Sequence, residues 1–115
     1  MDLTKKKCIP CEGYTDPLTD EVEDEFLPEI KKWDIDREGI HNIHRDYSLL
    51  HFMDSISFVN EIAKLAEEEG HHPNITILFN LVKIKIYTHA INGLSENDFI
   101  LAAKIDDIFD AGYSL

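Results

Sequence analysis

Apolar positions follow a helical period in three stretches of this chain and alternate with polar ones in another. Val22, Phe26 and Ile30, with Leu27 beside them, recur at helical spacing, and Asp20 precedes Glu23 at capping-box spacing. They predict a first helix over about 19–32, with Pro28 marking a kink or an early stop. Ile56, Val59, Ile62, Ala63 and Ala66 form a broad apolar stripe, with Glu61, Lys64, Glu67 and Glu68 on the polar side. This predicts a second helix from about Ser55 to Glu69, ended by Gly70. His72 precedes Pro73, so it should be extended. A third helix opens at Ser95, where Ser95-Glu96-Asn97-Asp98 resembles a capping box. Phe99, Leu101, Ala102, Ile105, Ile108 and Phe109 then make an apolar surface wider than one stripe on a sheet requires. The excess reads as a subunit interface, with a wholly intramolecular core as the alternative. Gly112 and the last three residues read as a tail.

Period-2 alternation marks 74–88. Ile75, Ile77 and Phe79 alternate on one side, and Val82, Ile84 and Ile86 on the other, with Lys83, Lys85 and Tyr87 interleaved. A turn near Asn80-Leu81 pairs 79 with 82, 77 with 84 and 75 with 86, apolar against apolar throughout. Asn80 accepts the left-handed conformation of a tight turn and Leu81 resists it, so a longer or bulged turn stays open. The same register sets His72 opposite His89. Residues 33–36 predict a short strand, 37–39 a turn and 40–51 a further strand. Residues 1–18 read as an extended arm. The resulting order is α-β-β-α-β-β-α, within a single domain over 1–115.

Composition narrows the function. An apolar fraction of 43% is that of a globular protein. No apolar run approaches the roughly 20 residues that span a bilayer, and no apolar segment follows the basic N-terminus. A cytoplasmic location is therefore expected, with the nucleus as the alternative. A formal net charge of −12 repels phosphate backbones and acidic membrane faces, which leaves a small neutral or polar substrate or a protein partner. Cys8 and Cys11 are the only cysteines. Reduced thiols are expected for them; a zinc site, a redox pair and a disulfide are the alternatives.

Three of the six histidines carry the candidate chemistry. His71 and His72 end the second helix before Pro73, and the hairpin returns His89 to the same place. A histidine pair at a helix end is ordinarily surface decoration; a third histidine brought beside it points to an acid–base pocket. A three-histidine zinc site is the competing reading, and adjacent histidines rarely serve one metal well. His41, His44 and His51 read as surface or strand residues. Acids at a helix C-terminus oppose its dipole, which favours a functional duty for Glu67 within Glu67-Glu68-Glu69.

His71-His72-Pro73, Thr88-His89 and Gly93-Leu94-Ser95-x-x-Asp98, at this spacing, resemble the pterin-4a-carbinolamine dehydratase family. The resemblance runs from Cys8-x-Pro10-Cys11-x-Gly13 through Leu18, Trp33 and Phe58-Val59 to Lys104-Ile105-Asp106. It implies an α+β fold: a four-stranded antiparallel sheet with helices packed on one face, in homodimers or homotetramers. It implies loss of water from 4a-hydroxytetrahydrobiopterin to give quinonoid dihydrobiopterin, recycling the pterin cofactor of aromatic amino-acid hydroxylases. No metal or organic cofactor is implied. By resemblance His71, His72 and His89 are the catalytic residues, and Glu67, Pro73, Thr88 and Asp98 support or bind the substrate. Asp98, at a helix N-terminus, is expected to act mainly through architecture. The alternative implied role is a non-catalytic dimerisation cofactor for a homeodomain transcription factor.

Overall fold

The computed structural model describes residues 1–10, 13 and 15–114, so Cys11 lies outside the described residues. Helix α1 (Asp20–Phe26) opens on Thr19, whose hydroxyl caps the Val22 N–H. It tightens into a 3-10 turn at Leu27–Glu29, which contains Pro28. The early stop expected from that proline is what the chain does. Strand β1 (Asp34–Asp36) and strand β2 (Asn42–Ser48) follow. Helix α2 (Phe52–Glu69) begins three residues before the expected start, because His51 donates its N–H to Asp54 and forms the cap. Strands β3 (Asn74–Leu78) and β4 (Leu81–Ile86) form the hairpin, and helix α3 (Glu96–Gly112) closes the fold.

The four strands form one antiparallel sheet in the order β1-β2-β4-β3. Ile43, Tyr47, Val82, Ile84 and Ile86 are buried on one face, against Phe58 and Ile62 of α2 and Phe99, Leu101 and Ile105 of α3. The other face carries Lys83 and Lys85, both exposed. Asp106 of α3 accepts from Trp33 Nε1 (3.0 Å), Arg45 Nη1 (2.5 Å) and the Tyr47 hydroxyl (2.5 Å). This node ties the C-terminal half of α3 to the sheet. Burial, with the Asp106 charge beside it, pushes the Tyr47 hydroxyl far above its ordinary value, so it stays a donor.

The hairpin register differs from the expectation by two residues. Ile77 pairs with Val82 and Ile75 with Ile84, around a two-residue turn at Phe79-Asn80. A shift of two preserves the face, so apolar still meets apolar. Leu81 escapes the left-handed region, but Phe79 enters it instead, at φ 57°. Phe79 then stacks on Phe52 with ring centroids 6.3 Å apart, and Leu49 N–H bonds the Asn80 carbonyl at 2.8 Å.

Two expectations about the surface are corrected. The wide apolar face of α3 is buried within one chain, with Ile100 and Ala102 covered too and Ile108 alone of the expected residues half-buried, so the intramolecular alternative holds. Its extra cover is the N-terminal segment, which is folded: Leu3–Lys5 form a 3-10 turn, Leu3 is buried, and the turn packs against α3. Residues 6–10 continue as a strap between the end of α2 and the start of α3. Cys8 N–H donates to Glu69 (2.8 Å), and Ile9 N–H and carbonyl bond the Asn97 amide at 3.0 and 2.5 Å. Cys8 itself is a buried free thiol, pushed up to about 12 by burial and by Glu69.

Burial alone would push the Glu69 carboxyl up. The Cys8 N–H, Lys104 and Lys7 outweigh it and hold the group down at about 2. A depressed carboxylate stabilises the fold fully above its ordinary 4.5, and that contribution is lost as pH falls towards about 2. Glu69→Gln is therefore expected to lower the urea midpoint at neutral pH and to converge on the parent as pH falls through this window. A gap that stays constant with pH would contradict this.

Candidate active site

The site begins where α2 ends. Gly70 takes the left-handed conformation (φ 67°) that terminates the helix, and both Gly70 and His71 donate their N–H groups to the Ala66 carbonyl. The reversal turns His71 inward and leaves His72 and Pro73 extended at the mouth of the hairpin. Across the sheet, Thr88 and Gly93 form an isolated bridge, closed by Thr88 N–H to Gly93 carbonyl at 2.8 Å. His89 heads the 3-10 turn (His89–Ile91) that this bridge pinches off. Gly93 is required by close approach: a Cβ there would sit 2.6 Å from the Pro17 Cβ.

Asp98, the third residue of α3, is fully buried and joins the two halves. One oxygen accepts from Ser95 N–H (2.8 Å) and from the Thr88 hydroxyl (2.9 Å), which also bonds the Ser95 hydroxyl. The other lies 2.5 Å from His71 Nε2. A carboxylate can only accept here, so it places the proton on Nε2 and leaves His71 Nδ1 free of any hydrogen bond among the described residues. His72 Nε2 lies 2.6 Å from Glu67, one helical turn back on α2, with both side chains exposed. His89 carries no such carboxylate. Its ring lies against that of Tyr87, with centroids 4.2 Å apart and planes inclined by 38°.

Together these residues line a cleft of about 320 Å³ formed by Gly70, His71, His72, Pro73, Asn74, Tyr87, Thr88, His89 and Ala90. All three expected catalytic histidines are in it, as are Pro73 and Thr88. Glu67 and Asp98 are not in its wall; each reaches it through a histidine. Continued past the last observed pair, Asn74–Lys85, the slipped register would set His72 across from Tyr87 instead of His89, yet all three histidines line the cleft. A larger hollow of about 670 Å³ is lined by Asp24, Leu27, Pro28, Lys31, Trp33, Asp34 and Ile35; it holds two carboxylates and a lysine but no histidine, and none of the residues expected to be catalytic.

Sequence reading missed Tyr87. Its only signal was an aromatic side chain directly before Thr88-His89, which strand alternation assigned to the outer face. The other histidines stand apart from the cleft. His51 caps α2, and His41 Nδ1 lies 2.8 Å from Glu23. Asp20, Glu23 and His41 bring donor atoms within 4.8 Å of one another, but Glu23 already gives one oxygen to Arg37 and the other to His41. That cluster reads as an ion-pair latch between α1 and the β1–β2 turn.

Fold and cleft define a class: a small α+β domain with a three-histidine cleft at the open end of a hairpin and, among the described residues, no helix long and apolar enough to cross a membrane. The family model for pterin 4 alpha carbinolamine dehydratase matches residues 16–108, and the chain belongs to that family. A provisionally named pterin-4-alpha-carbinolamine dehydratase of Rickettsia bellii is 47% identical over 105 residues, covering 90% of this chain and 91% of the relative. One of the same provisional name from Halorhodospira halophila is 41% identical over 106 residues, covering 92% and 96%. The crystal structure of a transcriptional coactivator/pterin dehydratase from Brucella melitensis superposes with a TM-score of 0.76 at 28% identity, covering 81% of this chain and 98% of that one. A pterin dehydratase-like protein identified as a RuBisCO assembly factor shares the fold, at 24% identity and a TM-score of 0.59, over 72% and 93%.

Proposed function

We propose that the protein dehydrates 4a-hydroxytetrahydrobiopterin to quinonoid dihydrobiopterin. The observation that carries this reading is the convergence of three histidines from two separate segments on one cleft, two of them held by carboxylates. Hydroxide is a poor leaving group, so the C4a hydroxyl must be protonated to depart as water. A ring N–H must lose its proton as the C=N bond forms. Histidine can serve either role near neutrality. His71, which must carry a second proton on Nδ1 while Asp98 holds the first on Nε2, acts with His89 as the acid at the hydroxyl, and His72 holds the ring and accepts the ring proton. Pro73 and Thr88 complete the wall. The test is dehydration of freshly generated 4a-hydroxytetrahydropterin, followed by ultraviolet absorbance. Acceleration by the protein supports the reading; a folded protein that gives none overturns it.

A homodimer or homotetramer is part of the same proposal. Strand β3 is an edge strand with no charged side chain, and Leu50, Phe52, Met53, Leu78 and Phe79 are exposed at its end. An uncharged edge beside an apolar patch suits a second copy of the chain. Phe52→Glu combined with Phe79→Glu is expected to weaken self-association about 100-fold, read by sedimentation equilibrium. A parent protein that is monomeric at every concentration would remove this part of the proposal.

A further inference from the structure

We propose that Tyr87 is the positioning residue of His89, doing with a ring face what Asp98 does for His71 and Glu67 does for His72. This inference rests on the dehydratase reading and adds a residue to it. The three histidines are not held alike. His71 is locked by a buried carboxylate at 2.5 Å and His72 is tethered at 2.6 Å, but the His89 side chain makes no hydrogen bond or ion pair with any described residue. An exposed side chain without a partner samples its rotamers on the picosecond to nanosecond scale. A catalytic group needs one orientation, and loss of alignment is costly even when the group remains present.

Tyr87 supplies what is missing. Its ring is 4.2 Å from that of His89, centroid to centroid, a distance at which aromatic rings attract. The platform is itself fixed: Tyr87 follows Ile86, the fully buried last residue of β4, and precedes Thr88, which is bridged to Gly93 and bonded to Asp98. The Tyr87 hydroxyl bonds no described residue, so the ring is the working part. The same strand end therefore anchors the Asp98–His71 pair through Thr88 and the third histidine through Tyr87.

The experiment is a double-mutant cycle with a structural readout. Tyr87→Ala is expected to lower kcat about tenfold with little change in KM, and Tyr87→Phe to restore most of it. In a His89→Ala background, Tyr87→Ala should add no further loss, because the residue it positions is gone. A rise in KM that persists in that background would overturn the proposal and make Tyr87 a stacking face for the pterin. Tyr87→Leu repeats the test with apolar bulk but no ring, should Tyr87→Ala fold poorly. The His89 ring protons should be shifted by the Tyr87 ring current in the parent and in Tyr87→Phe, and lose that shift in Tyr87→Leu. Unchanged His89 resonances in Tyr87→Leu overturn the proposal whether or not the parent is an active dehydratase. An inactive parent sinks the dehydratase reading while this comparison still decides the contact.

Discussion

His71→Ala with His89→Ala is expected to abolish most of the turnover and leave the fold intact. A positioned acid contributes roughly 10²- to 10⁴-fold, so each single variant should lose at least about 10²-fold in kcat. The double variant should lose less than the product, since both act at one leaving hydroxyl. His71→Ala also strips Asp98 of one partner, and a loss of activity could then be confused with a loosened site. His71→Gln is the control, because its amide can still donate to Asp98. If His71→Gln matches His71→Ala in rate and the parent in stability, the imidazole is the acid. Parent-like rates in both single variants and in the double variant would refute the histidine assignment.

Asp98 carries the second large effect, and it divides into two. Asp98→Ala leaves the Ser95 N–H, the Thr88 hydroxyl and His71 Nε2 without their acceptor at a fully buried point, and removes the reciprocal cap of α3. Losing such a buried, charge-assisted hub costs about 3–4 kcal/mol. In a chain of this size that lowers Tm by roughly 10 °C or more. Asp98→Asn keeps the volume and one acceptor oxygen, so it should recover much of the stability. It cannot both accept from Ser95 and Thr88 and hold the proton on His71 Nε2. Its turnover should stay at least about 10²-fold low, because a neutral amide no longer compensates the positive charge of the doubly protonated His71 that acts as the acid. Recovery of rate together with stability would make Asp98 purely architectural.

Much of this arrangement could be read from the chain before any coordinates. The helical stripes, the capping box at Ser95 and the alternation over 74–88 are local signals, and each produced its element. The meeting of His71, His72 and His89 followed from the hairpin and survived a register error, because a slip of two residues moves neither strand off its face. What failed was non-local. The α3 surface looked too wide for a monomer because nothing in residues 1–10 announces that they turn back to cover it. Leu3 is one apolar residue among lysines, and its partner lies almost the whole chain away. Tyr87 was missed for a related reason: alternation gives a side chain its face, not the neighbour that a following 3-10 turn folds onto it. The turn at Phe79 ran against its preference because pairing and the Phe52 contact outweigh the strain of one residue.

The strap formed by residues 6–10 has a consequence for the order of events during synthesis. It leaves the ribosome well before Asn97 and the α3 face that it binds, which follow 88 residues after Ile9. The Asp98–His71 bond likewise awaits α3. A nascent chain stalled between β4 and α3 therefore has the residues of its sheet and of α2 but neither the strap docked nor the first histidine locked. Contacts of such long sequence separation form late. The docking of the strap and the locking of His71 thus depend on the same event, the arrival of α3 over the sheet.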